Sequence, residues 1–248
     1  MASLLLYLVA DRSVCRFCWR TVTDTERENR MKIVPAILAE DPDVFLRRLR
    51  QAETFADYVQ IDLMDGDFVP ARSFPPEFLN SLSTTIDFEV HLMVTYPLAY
   101  MSTVENPHLK KVIYHFESQV KHDVFVDNIT RRNIKVGLAV NPDTATIHFR
   151  DIAAHVDTIL FLTVDPCCYG NPFRPEVMKK IQESRTLFTD KSIGADGGVS
   201  SDNLHLFFHS GVDYVCIGSK IFPEENPAEQ YRALLRQLDT LKTGSIIL

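Results

Sequence analysis

Four short segments carry the side chains that could do chemistry. They are Gln60-Ile61-Asp62-Leu63-Met64-Asp65-Gly66, Glu89-Val90-His91-Leu92-Met93, His115-Phe116-Glu117 and Ala195-Asp196-Gly197-Gly198. Each closes a stretch patterned as a β-strand. Side chains alternate faces along a strand, so Gln60 and Asp62 share a face, as do His91 and Met93. Parallel strands closed into a barrel would bring these ends to one mouth. That mouth would hold two carboxylates, Asp62 and Asp196, and at least one imidazole, a set suited to metal-assisted proton transfer.

The elements that must position them alternate. Strand patterns run over 33–38, 58–63, 87–93, 111–115, 135–140, 158–164, 192–196 and 214–217. Helical stretches are expected at 41–54, after Phe74-Pro75-Pro76, from Pro97, and over 119–131, 175–184, 201–210 and 227–241. Eight βα units predict an α/β fold, a single-domain (β/α)8 TIM barrel, in which strand C-terminal ends build the site. A doubly wound sheet would call for a Gly-rich loop after the first strand. Ala39-Glu40-Asp41-Pro42 stands there instead, without glycine.

Length and composition agree with one domain: 248 residues, 46% of them hydrophobic. The net charge of −7 with no long basic run argues against nucleic acid as a partner. No apolar run approaches the ~20 residues of a membrane span. Five cysteines without a regular framework fit a reducing compartment, and the expected location is cytoplasmic. Residues 1–30 read as an N-terminal extension, either poorly ordered or preceding a true start at Met31. The barrel is placed over 31–248. Within the extension, Cys15 and Cys18 make half a zinc site, which is no site. Adjacent Cys167 and Cys168 read as inert thiols. His205 and His209, four apart on a predicted helix, read as a solvated or packed face.

The motifs, in this order, resemble the ribulose-phosphate 3-epimerase family of TIM barrels over nearly all of 31–225. They are Pro35-Ala36-Ile37-Leu38, Asp62-Leu63-Met64-Asp65-Gly66-Asp67-Phe68-Val69-Pro70, His91-Leu92-Met93, His115-Phe116-Glu117, Asn141-Pro142-Asp143-Thr144, Thr163-Val164-Asp165-Pro166, Asp196-Gly197-Gly198-Val199 and Gly218-Ser219-Lys220-Ile221-Phe222. The resemblance implies a cytoplasmic isomerase of carbohydrate metabolism, in the pentose phosphate pathway, interconverting ribulose 5-phosphate and xylulose 5-phosphate at C3. It implies Asp62 and Asp196 as the acid/base pair and a divalent metal that steadies the enediolate. Gln60, Asp62, His91 and Asp196 fall at the ligand positions. The metal could be Zn, Mn, Fe, Co or Mg. Substrate contacts fall on Ala36, Met64, His91, Met93, Gly170, Asp196, Gly197, Gly198, Gly218 and Ser219. His115 and Glu117 read as supporting structure rather than ligands. The expected partner is a small sugar phosphate; whether the chain forms a homo-oligomer stays open.

Three departures from the family pattern matter. Gln60 stands where the family has a histidine ligand; an amide oxygen is neutral and favours harder cations than zinc. Ala36 replaces a serine. The loop Asp165–Phe173 keeps only Gly170 of its glycines, with Cys167 and Tyr169 where backbone would approach a phosphate closely. Apart from these three, the family's third methionine, on the sixth strand, is Leu162 here. Two alternatives follow from these departures: an epimerase of a related ketose phosphate, or a catalytically impaired barrel that binds a ligand.

Overall fold

The computed structural model describes residues 31–166 and 170–244. The expected extension 1–30, with Cys15 and Cys18, and the Cys167–Tyr169 stretch lie outside them. Eight parallel strands close into a barrel in chain order: β1 Lys32–Leu38, β2 Tyr58–Met64, β3 Asp87–Met93, β4 Leu109–His115, β5 Lys135–Val140, β6 Thr158–Leu162, β7 Ser192–Asp196 and β8 Tyr214–Ile217. β1 meets β8 through Lys32 opposite Tyr214 and Val34 opposite Cys216. The strands read as near-continuous apolar runs because both of their faces are covered.

Outward-facing residues such as Ile37, Ile61, Leu63 and Val90 are fully buried against the helices. Inward, Val34, Ala36, Ile113, Ala139, Leu160, Leu162, Tyr214 and Cys216 pack as a separate cluster within the barrel. The N-terminal end of this interior is polar. Buried Glu89 accepts from the Tyr58 hydroxyl at 3.1 Å and pairs with Lys111 at 2.8 Å.

The helices are α1 Pro42–Ala52, a 3-10 turn at Pro76–Ser81, α2 Pro97–Tyr100, α3 His122–Thr130, α4 Thr146–Ala153, α5 Val177–Leu187, α6 Leu204–Ser210 and α7 Pro227–Thr243. Asp41 caps α1 by accepting the Asp43 and Val44 N–H groups, with Pro42 preset at the first helical position. α4 fills the connection to which the sequence assigned no helix; it buries only Phe149 and Ala153, one turn apart. α5 begins at Val177 rather than Pro175, because the Val177 and Met178 N–H groups first bond the Arg174 and Pro175 carbonyls in a tighter turn. His205 and His209 are exposed on α6, as expected of a solvated face.

Candidate active site

The register fixes which side chains meet. Leu38 lies beside Asp62, Asp62 beside His91, Leu162 beside Asp196, and Asp196 beside Cys216. These pairs sit at the C-terminal ends of their strands, at one level of the barrel. Above them opens a cavity of about 480 Å³. Ala36, Asp62, His91, Met93, Gly170, Asp196, Gly197, Gly198, Gly218 and Ser219 all line it. Two expected site residues do not line it. Gln60 is fully buried beneath the acids, and Met64 packs against Val69 and Met93.

Asp62, His91 and Asp196 converge so that one ligand-capable atom from each lies within 4.8 Å of the others. His91 Nδ1 stands 3.1 Å from Asp62 Oδ1 and 3.5 Å from Asp196 Oδ2. Gln60 Nε2 donates to both acids, at 2.8 Å to Asp62 and 2.7 Å to Asp196. Its Oε1 accepts from the Cys216 thiol at 3.0 Å. The amide therefore turns its nitrogen, not its oxygen, toward the carboxylates. Ligation through its oxygen, as expected from the sequence, would take a half-turn of the amide that reverses the Cys216 contact. Cys216 was not picked out from sequence. The available signal was its inward parity on β8, two residues from Tyr214 and level with Asp196.

A second line of contacts leads away from the acids. His91 Nε2 meets His115 Nε2 at 2.9 Å, and His115 Nδ1 meets Glu117 Oε2 at 3.3 Å. Glu117 Oε1 accepts the Asn141 N–H at 3.0 Å and the Thr144 hydroxyl. His115 and Glu117 thus touch the candidate ligand His91 and the loop after β5.

Burial and charge act together here. Removal from water pushes the Asp62 carboxyl up to about 6, and nearby Asp196 adds to that, against the hydrogen bond from His91. Burial opposes charge on His91, but its hydrogen bonds to Asp196 and Asp62 prevail and raise the imidazole to about 9. His115 is pushed down to about 4, because burial outweighs the pull of Glu117. Glu117 is half-buried, and the donors around it hold its carboxyl below the usual range.

One side of the cavity is formed by the turn after β7. Gly197 and Gly198 turn there with φ of +105° and +65°. A Cβ on Gly197 would meet Val164 Cγ2 at 2.5 Å, so only glycine fits. Lys220, to which the sequence motif gives no role, lines the rim and is exposed.

Residues 32–222 match the Ribulose-phosphate 3 epimerase family. The chain belongs to this family. It is an isomerase of the epimerase class. The ribulose-phosphate 3-epimerase of Mycobacterium tuberculosis is 30% identical over 213 residues, 83% of this chain and 92% of that protein. The enzyme of that name from Schizosaccharomyces pombe is 25% identical over 204 residues, 80% of this chain and 90% of its own. Among solved structures, thiamine phosphate pyrophosphorylase from Pyrococcus furiosus superposes with a TM-score of 0.60 at 17% identity, covering 87% of this chain and 98% of that one. Orotidine 5'-monophosphate decarboxylase from Methanocaldococcus jannaschii gives 0.58 at 15% identity, covering 85% and 99%. At such identity these two speak for the barrel alone. No helix among the described residues is long and apolar enough to cross a membrane.

Proposed function

We propose that this epimerase inverts C3 of a ketose phosphate, ribulose 5-phosphate to and from xylulose 5-phosphate, with Asp62 and Asp196 as the acid/base pair. The observation that carries this reading is their approach, from β2 and β7, on the floor of one cavity. Going round the barrel, β1 and β8 stand between those two strands. A planar enediolate standing on edge between these two strands would have one carboxyl toward each face. One acid takes the C3 proton and leaves its electron pair in the enediolate. The other delivers a proton to the opposite face. A carboxyl raised to about 6 by burial holds or releases a proton near neutral pH, as such a role requires.

Two carboxylates and an imidazole in mutual reach form an oxygen- and nitrogen-donor set that fits a divalent cation. Asp62, His91 and Asp196 would hold it, joined by the Gln60 oxygen if that amide turns. A cation there supplies fixed positive charge beside the developing oxyanion. The phosphate is assigned to the N–H groups around Gly197, Gly198, Gly218 and Ser219, with Lys220 at the rim. Ala36 puts a methyl into the cavity, which favours a related ketose phosphate as the second reading.

A panel of ketose phosphates, assayed with Mn2+, Zn2+, Co2+, Fe2+ and Mg2+ in turn, separates these readings. Ribulose 5-phosphate is expected to give the highest kcat/KM. Asp62→Asn and Asp196→Asn should each lower kcat about 10²–10⁴-fold. Inactivity on every substrate with every metal would contradict both readings.

A further inference from the structure

We infer that Glu117 is a positioning residue, acting through His115 to fix which nitrogen of His91 carries a proton. The inference rests on the proposed role of His91 as a cation ligand, and it follows from the donors and acceptors along a relay whose two imidazoles are buried and whose carboxylate is half-buried.

Begin at the far end. The Asn141 backbone N–H can only donate, and it donates to Glu117 Oε1, as does the Thr144 hydroxyl. The other carboxylate oxygen, Oε2, can only accept, so His115 must donate to it from Nδ1. A neutral His115 with its proton on Nδ1 has a bare Nε2. The group 2.9 Å away is His91 Nε2, which must then be the donor. His91 therefore keeps its Nε2 proton whatever its charge. The nitrogen it turns to Asp62 and Asp196, Nδ1, is the one free to give up its proton and offer a lone pair. A carboxylate that orients a histidine through its other ring nitrogen is the usual outer support of a metal ligand. Here the support reaches one imidazole further. His91 and His115 are both fully buried, so no water competes for these positions.

The counting predicts what a single atom would do. In Glu117→Gln the Asn141 N–H and the Thr144 hydroxyl still require an acceptor, so they hold the amide oxygen on their side. The amide NH2 then faces His115 Nδ1 as a donor. His115 must accept there, move its proton to Nε2 and donate to His91. His91 Nε2 becomes the acceptor, and a neutral His91 is left with its proton on Nδ1, pointing at the acids. The side chain keeps its shape while the order of protons reverses.

Long-range 1H–15N NMR on histidine-labelled, chelator-treated protein at pH 10, where His91 is neutral, reads this directly, with His115 assigned by its loss in His115→Asn. Wild type should show His115 protonated on Nδ1, and Glu117→Gln should show it on Nε2. Mn2+ titration followed by EPR of the free ion should give about 10–100-fold weaker binding in the variant. A wild-type His115 carrying its proton on Nε2, or Mn2+ bound equally well by both proteins, would overturn the inference and leave the proposed function standing. Wild-type protein that binds no Mn2+ would overturn the cation role of His91, and this inference with it. The wild-type spectrum is decisive even if the variant fails to fold.

Discussion

His91 is the residue on which charge in this site turns. In the cation-free protein its imidazole is raised to about 9 by the two aspartates, against an ordinary value near 6.5. The folded form thus binds a proton more tightly than the unfolded chain. Its stabilisation is complete below pH 6.5 and is lost as pH climbs through 9, a total on the order of 3 kcal/mol. Chemical denaturation of chelator-treated protein at pH 6.5 and 9 should show this fall, and His91→Asn should flatten it. Below 6.5 the shifts of Asp62, upward, and His115, downward, act in opposite directions; above it Lys180, pushed down to about 8 by burial, opposes the fall, so the difference between wild type and His91→Asn is the informative quantity. Asp62, His91 and Asp196 were legible in the sequence because strand parity and barrel order alone bring them together. The direction of the Gln60 amide was not. It is set by the Cys216 thiol, two strands round the barrel and 156 residues along the chain. Nor could spacing show that His115 would face His91 through Nε2, since that depends on two ring orientations.

At the scale of elements, the strands that carry the acids were predicted to within two residues at each end. Their apolar runs are bounded by turn residues and buried on both faces. α4 escaped prediction because it buries only two side chains and has no side-chain cap. The turn after β7 is the most demanding element of the site. Gly197 combines a left-handed backbone with the Val164 side chain at contact, while Thr163 ties β6 to it by donating its N–H to the Asp196 carbonyl at 2.8 Å and its hydroxyl to that of Gly197. Gly197→Ala should cost about 1–3 kcal/mol in thermal unfolding through backbone strain. Since this turn is assigned to the phosphate, KM should rise more than kcat falls. An unchanged KM would remove the turn from phosphate binding.

Across the whole molecule the two ends of the barrel divide the work. The C-terminal end holds groups whose protons and lone pairs are left to be used. The N-terminal end holds buried Glu89 with half-buried Tyr58 and Lys111, on the far side of the inward-facing apolar residues. Glu89→Gln removes the charge that pairs Lys111 and should cost about 3 kcal/mol in denaturant unfolding. KM and kcat of the molecules that remain folded should stay at wild-type values, because the cluster does not reach the cavity. At the other end, the proposed reaction has two carboxyls serving opposite faces of one carbon. The most direct test is the fate of the C3 hydrogen when ribulose 5-phosphate is turned over in D2O. Two separate acids predict xylulose 5-phosphate carrying one deuterium at C3 from the first turnovers, with recovered ribulose 5-phosphate still protiated at early times. Product that retains the substrate's own hydrogen at C3 would contradict the account.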